Sequence, residues 1–112
     1  MKMDCLFCKI MAGESPCSKV YEDEKVFAFR DINPQAPVHV LLVPKKHMSN
    51  ILECDGETAA ALVAAIGKVA EQEGVEKDGF RIVSNCGTNG CQSVGHLHIH
   101  LLGGEKLTEK MA

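Results

Sequence analysis

Three of the chain's five histidines fall within five residues, in the run His96-Leu97-His98-Ile99-His100-Leu101-Leu102. No other feature restricts the fold as strongly. Alternation of imidazole and aliphatic side chains has the period of a β-strand, where successive side chains point to opposite faces. The run is therefore expected in a final strand over residues 94–102. Leu97, Ile99 and Leu101 then share one face and the three imidazoles share the other. The aliphatic face can pack beneath a helix. The imidazole face is expected to look into a cleft or solvent, because burying it demands partners for six ring nitrogens.

The rest of the chain supplies a partner for that strand. Residues 56–73 carry Ala59, Leu62, Val63, Ile66, Val69 and Ala70 at the spacing of one apolar helix face, with Asp55 placed to cap the start and Gly74 to end it. A shorter helix is expected over residues 4–12, capped by Asp4 and ended by Gly13 and Pro16. Residues 19–22 and 25–30 read as strands joined by the Asp23-Glu24 turn. After a loop at Asn33, Pro34 and Pro37, residues 38–43 form an aliphatic strand stopped by Pro44. Residues 80–84 form a further strand, and a loop with three glycines spans 87–95. This order predicts an α+β fold: a five-stranded, mostly antiparallel sheet with one long helix on a face and a short N-terminal helix.

Composition narrows the function classes. The 112 residues are 46% hydrophobic and 24% charged, as expected for one globular domain over residues 1–112. Net charge is -3, and Lys45-Lys46 is the only basic pair, so no concentrated basic face for nucleic acid is expected. No apolar run approaches a membrane span of about 20 residues. The polar start, Met1-Lys2-Met3-Asp4-Cys5, does not resemble an export signal, and a cytoplasmic location is expected. In that setting the six cysteines read as reduced thiols or metal ligands rather than disulfides.

Three chemistries compete for the histidine stripe: a solvated polar face, a metal site, or nucleophilic catalysis. Histidines four residues apart on a strand lie about 13 Å apart, too far for all three to hold one ion. A metal would need ligands from elsewhere. Nucleophilic attack on phosphorus by the middle histidine suits neutral imidazole near pH 7, with its neighbours orienting it and binding charge. The preceding loop, Asn85 to Gly95, is rich in glycine and small donors of the kind that bring backbone N–H groups to phosphate.

The His-apolar-His-apolar-His-apolar-apolar run resembles the signature of the histidine triad (HIT) family. Phe7-Cys8-Lys9-Ile10, Val20-Tyr21-Glu22-Asp23, Ala28-Phe29-Arg30-Asp31-Ile32, Pro34-Gln35-Ala36-Pro37, Val43-Pro44-Lys45-Lys46-His47, Gly90-Cys91-Gln92-Ser93-Val94 and Leu102-Gly103-Gly104 resemble its Hint branch. That resemblance implies an enzyme of the nucleoside phosphoramidase type. It would cleave the P–N or a related bond of purine nucleoside 5'-monophosphate derivatives through a covalent nucleotidyl-histidine. The alternatives are a dinucleoside polyphosphate hydrolase and a nucleotide-binding module with little catalysis.

By the same resemblance His98 is the nucleophile, His39 hydrogen-bonds within the cluster and sets the ring state of His98, His100 contacts a phosphoryl oxygen, and Ser93 contacts the phosphate and passes a proton to the leaving group. Asp31 would bind the ribose hydroxyls. Phe7, Ile10, Phe29 and Ile32 would form the base slot, and Asn85 and Gln92 would join Ser93, His98 and His100 around the nucleotide. A homodimer is also implied.

Cys5-Leu6-Phe7-Cys8 alone is half of a four-ligand site. The resemblance completes it with His47 and His96 as a structural zinc site, Cys5, Cys8, His47 and His96, not required for the chemistry. The chain departs from Hint proteins at Cys91, where a glycine is usual, at Arg30, where a histidine is common, and in the tail Glu105 to Ala112.

Overall fold

The computed structural model describes residues 5–110. In chain order the elements are α1 (Leu6–Met11), β1 (Lys19–Glu22), β2 (Val26–Arg30), β3 (Val38–Pro44), a 3-10 turn (Ile51–Glu53), α2 (Gly56–Gln72), β4 (Phe80–Val83) and β5 (Ile99–Gly103). The strands form one sheet in the order β1-β2-β3-β5-β4. Every neighbouring pair is antiparallel. The expected α+β architecture is the one found.

Local chemistry sets the element ends. Asp23 Oδ1 accepts from the N–H groups of Lys25 and Val26, both at 2.8 Å, and so closes the first hairpin. Lys25 therefore belongs to the turn, and β2 begins one residue later than expected. Asp55 Oδ1 accepts from Thr58 N at 2.7 Å and caps α2. At its other end Gly74, with φ 75°, lets Gly74 N reach Glu71 O and Val75 N reach Ala70 O. These two bonds form a Schellman stop, which needs a left-handed residue at that position. Glu73 is the C-cap, so the helix ends at Gln72. Cys5 caps α1, its sulfur accepting from Cys8 N at 3.5 Å. The expected cap, Asp4, lies outside the described residues.

Period-two alternation divides the core between the two sheet faces. Val26, Ala28, Val40, Leu42, Leu97, Ile99 and Leu101 meet Leu62, Ala65, Ile66, Val69 and Ala70 of α2 on one side. Phe27, Phe29, Leu41 and Val43 meet Phe7 and Cys8 of α1, and its cap Cys5, on the other. The helix face is narrower than the apolar spacing suggested. Ala59 is exposed and Val63 is 68% exposed, because α2 presents Thr58, Leu62, Ala65, Ile66, Val69 and Ala70 to the sheet.

The final strand is shorter than expected, Ile99–Gly103 rather than residues 94–102. The β3–β5 ladder stops at Leu42↔Ile99. Continued in register it would bring Leu97 opposite Pro44, which has no N–H to donate. Leu97 N instead donates to Met48 O at 2.7 Å. The side-chain alternation survives beyond the ladder, since Leu97 still joins the α2 side of the core.

Core depth and surface exposure give a direct contrast. Leu62→Ala, in the buried α2 face, is expected to cost about 2–5 kcal/mol in chemical denaturation. Leu52→Ala, at 84% exposure, is expected to change stability by less than about 0.5 kcal/mol.

Candidate active site

The imidazole face is not open. His96 is 0% and His98 3% exposed, and His100 is half-buried. α1 covers this side, with the Phe7 ring edge-on to His98 at 5.1 Å and to His96 at 6.0 Å. The expected cleft is thus mostly filled by an aromatic ring, and burial is tolerated because the ring nitrogens find partners. His96 Nε2 donates to Pro44 O at 2.9 Å, and His96 Nδ1 lies 3.3 Å from Cys5 Sγ. His98 Nδ1 donates to His96 O at 2.7 Å. His100 Nδ1 is 2.9 Å from His39 Nε2.

Two triad nitrogens have no partner among the described residues: Nε2 of His98 and Nε2 of His100. Among the described residues no solvent-inaccessible side-chain nitrogen or oxygen lacks a hydrogen-bond partner. These two nitrogens therefore reach solvent. With the His98 proton held on Nδ1 by a carbonyl, the exposed Nε2 carries the lone pair. An imidazole with an unengaged lone pair at Nε2 can act as a nucleophile.

His39 hydrogen-bonds within the cluster, and its partner there is His100 rather than His98. The register pairs His39 with Leu102 and Leu41 with His100, so His39 and His100 are diagonal neighbours on one sheet face. His98 lies two residues further along and is out of reach. Asp31 Oδ2 approaches His39 Nε2 at 3.4 Å, and Asp31 Oδ1 accepts from Asn33 N at 2.8 Å. Burial lowers the pKa of His39, against the pull of Asp31. Burial, with His98 and His39 close by, lowers that of His100 to about 4. Both rings are neutral at pH 7.

The remaining predicted residues fall into two groups. Phe7 and Phe29 are buried edge-to-face at 5.5 Å, and Ile10 packs against the same cluster. Ile32 stands apart at 91% exposure. Ser93 is exposed on the wall of an open depression of about 550 Å³, shared with Cys5, Leu6, His47, Ser49, Val94 and Gly95. Asn85 and Gln92 brace the loop from within. Asn85 Nδ2 donates to Gly90 O at 2.6 Å, while Gln92 Oε1 accepts from Gly87 N and Gln92 Nε2 donates to Ser49 O and Val94 O. A Cβ at Gly90 would sit 2.6 Å from Cys86 O, so this bend requires glycine. Cys91 adopts φ 60°, a left-handed conformation that glycine takes more easily. Arg30 turns away from the site to a bidentate pair with Glu73, at 2.6 and 3.1 Å.

Cys5 and Cys8 from the first helical turn, His47 and His96 come together from three separate places in the chain. Their ligand atoms all lie within 4.8 Å of one another. Tetrahedral Cys₂His₂ coordination with ordinary zinc bond lengths puts sulfur and nitrogen about 3.5 Å apart. The distances are 3.3 Å for Cys5 Sγ–His96 Nδ1, 3.5 Å for Cys8 Sγ–His47 Nδ1 and 3.7 Å for Cys8 Sγ–His96 Nδ1. The Pro44 carbonyl holds the His96 proton on Nε2 and leaves Nδ1 bare toward the sulfurs, the usual orientation of a ligating histidine. These residues fit a tetrahedral metal ion.

Sequence reasoning missed one contact in this region. Gln35 N donates to His39 Nδ1 at 3.0 Å. Only the prolines around Gln35 hinted that this loop held a set conformation.

Comparison with known proteins agrees with this geometry. The HIT domain matches residues 12–107. A 14 kDa zinc-binding protein of Zea mays is 50% identical over 107 aligned residues, 91% of this chain and 83% of the maize protein. The purine nucleoside phosphoramidase of Escherichia coli (strain K12) is 41% identical over 115 aligned positions, covering 100% of this chain and 97% of its own. A HIT family hydrolase from Clostridium thermocellum superposes with a TM-score of 0.94 at 44% identity, covering 100% of both chains. Matched by the family over residues 12–107, and by relatives of 41–50% identity along nearly its whole length, this protein belongs to the HIT domain family and is a hydrolase of that family.

Proposed function

We propose that the chain hydrolyses the P–N, or a related, bond of purine nucleoside 5'-monophosphate derivatives through a nucleotidyl-His98 intermediate. The observation that carries this reading is the solvent-reaching Nε2 of His98, with its partner nitrogen Nδ1 tied to the His96 carbonyl. The lone pair of Nε2 attacks the α-phosphorus, and a P–N bond to His98 forms as the bond to the substrate amine breaks. The amine leaves with that electron pair and a proton passed by Ser93. Water then attacks the same phosphorus and gives up a proton that restores Ser93, the bonding pair returns to His98, and the mononucleotide departs. His100 Nε2–H donates to a phosphoryl oxygen as charge builds.

The nucleoside end follows the same logic. Asp31 retains lone pairs for ribose hydroxyls beyond the one used by Asn33. Phe7, Phe29 and Ile10 give an apolar floor, and the solvated Ile32 side chain gains by covering a base. Asn85 and Gln92 serve by holding the loop that carries Ser93. The similarity to the Escherichia coli phosphoramidase supports this substrate class.

Zinc is the ion we assign to the Cys5, Cys8, His47 and His96 cluster, supported by the ligand distances and the similarity to the maize protein. When bound it supplies a cross-link between α1 and the sheet, and it takes no part in the reaction. A chain with reduced thiols suits the cytoplasm.

The assembly we favour is a homodimer of 112-residue, single-domain chains. Among the described residues, the outer edge of β4 has no strand beside it. Phe80 and Ile82, 39% and 50% exposed, share the α2 side of the sheet with their partners Gly103 and Leu101. α2 buries the aliphatic side chains of the middle strands, β5 among them, but leaves these two at the β4 edge partly exposed. A second copy would cover it together with Val63.

Incubation with an adenosine phosphoramidate is expected to add one nucleotidyl group to the intact mass. His98→Asn should lose both this adduct and turnover while still binding the mononucleotide. Full turnover in that variant would sink the mechanism. Metal analysis should find one zinc per chain, and Cys8→Ser should lose it and melt at lower temperature, with turnover retained wherever the variant is folded. A metal-free preparation of unchanged melting temperature counts against the site. In light scattering the native chain is expected at twice the monomer mass and Ile82→Glu at the monomer mass; a native monomer at every concentration rules the dimer out.

A further inference from the structure

Asp31, His39 and His100 bring three possible ligand atoms within 4.8 Å of one another. Taken by themselves they resemble a second metal site. The contact behind them argues otherwise. His39 Nδ1 accepts the Gln35 N–H at 3.0 Å. A neutral ring with an acceptor at Nδ1 has its proton on Nε2. That nitrogen then has no lone pair for a metal. Freeing one would move the proton to Nδ1, where it would face the Gln35 N–H, donor against donor.

The same contact has a consequence further along. His39 Nε2–H points at His100 Nδ1, 2.9 Å away. His100 must therefore accept at Nδ1 and carry its own proton on Nε2, the nitrogen directed away from His39. Asp31 Oδ2, at 3.4 Å, lies on the same His39 proton and favours the same arrangement. We propose that the backbone N–H of Gln35 sets the proton positions of both rings, fixing His39 and through it His100 as Nε2–H tautomers, so that His100 presents a donor to the phosphoryl group. Gln35 is thus a positioning residue acting through its main chain. Its side chain helps only by holding the loop, with Nε2 donating to Asn33 O at 3.0 Å. The proposal rests on the phosphoryl-transfer reading for its effect on rate, but not for the proton positions.

Long-range ¹H–¹⁵N spectra of the imidazoles at pH 7.5 read those positions directly. The native chain and Gln35→Ala, which keeps the N–H, are expected to show single Nε2–H tautomers at His39 and His100. Gln35→Pro, which removes it, should show mixed tautomers at His39. Its kcat should fall about 10- to 100-fold with a smaller change in KM, as for other partners that orient a working histidine. An Nδ1–H tautomer at His39 in the native chain overturns the proposal whether or not the proline variant folds. So does a folded Gln35→Pro chain with native tautomers or native kcat. Failure of the catalytic reading would appear separately, as native chain that forms no nucleotidyl adduct while its tautomers stay single.

Discussion

Two-residue alternation from His96 to Leu102 is the constraint on which the rest of the molecule depends. It puts Leu97, Ile99 and Leu101 under α2, where each is at most 7% exposed. The same step sends His96, His98 and His100 to the opposite side. Burying the aliphatic half stabilises the segment by roughly 1.5–3 kcal/mol per side chain. The imidazole half then has to be accommodated where the packing leaves it. Moving the run by one residue would take three aliphatic side chains out of the core under α2 and put imidazoles in their place, so the register admits little slippage.

The three histidines, alike in sequence, are given separate tasks by their second nitrogens. His96 turns Nδ1 to two sulfurs because the Pro44 carbonyl holds Nε2. His98 turns Nε2 outward because the His96 carbonyl holds Nδ1. His100 has Nδ1 occupied by His39 and keeps Nε2 for a ligand. In each case a fixed partner on one side of the ring selects the chemistry available on the other. Burial reinforces this by depressing the pKa of His96, His39 and His100, which keeps those rings neutral.

α1 connects the two halves of the site. Its six residues are too few to be stable as an isolated helix. It is held by Phe7 and Cys8, buried against Phe29 and His96. Cys5 both caps the helix and offers a sulfur to the cluster. Order in α1 and order around His98 are therefore linked, since the Phe7 ring lies against that imidazole.

The sequence by itself determined the strands, the long helix with its Asp55 and Gly74 ends, and the segregation of three leucine or isoleucine side chains from three imidazoles. These follow from local period and local backbone chemistry. It also carried the four residues of the cysteine–histidine cluster, through resemblance to a family rather than through spacing. Tertiary structure alone decided where the ladder ends, because that depends on Pro44 coming opposite Leu97 from 53 positions away in the chain. It alone decided that His39 meets His100, because the partner of a strand residue is set by register between distant segments. And it alone decided that the histidine face is closed by Phe7, because a short helix has no say in its own docking until the sheet beneath it exists.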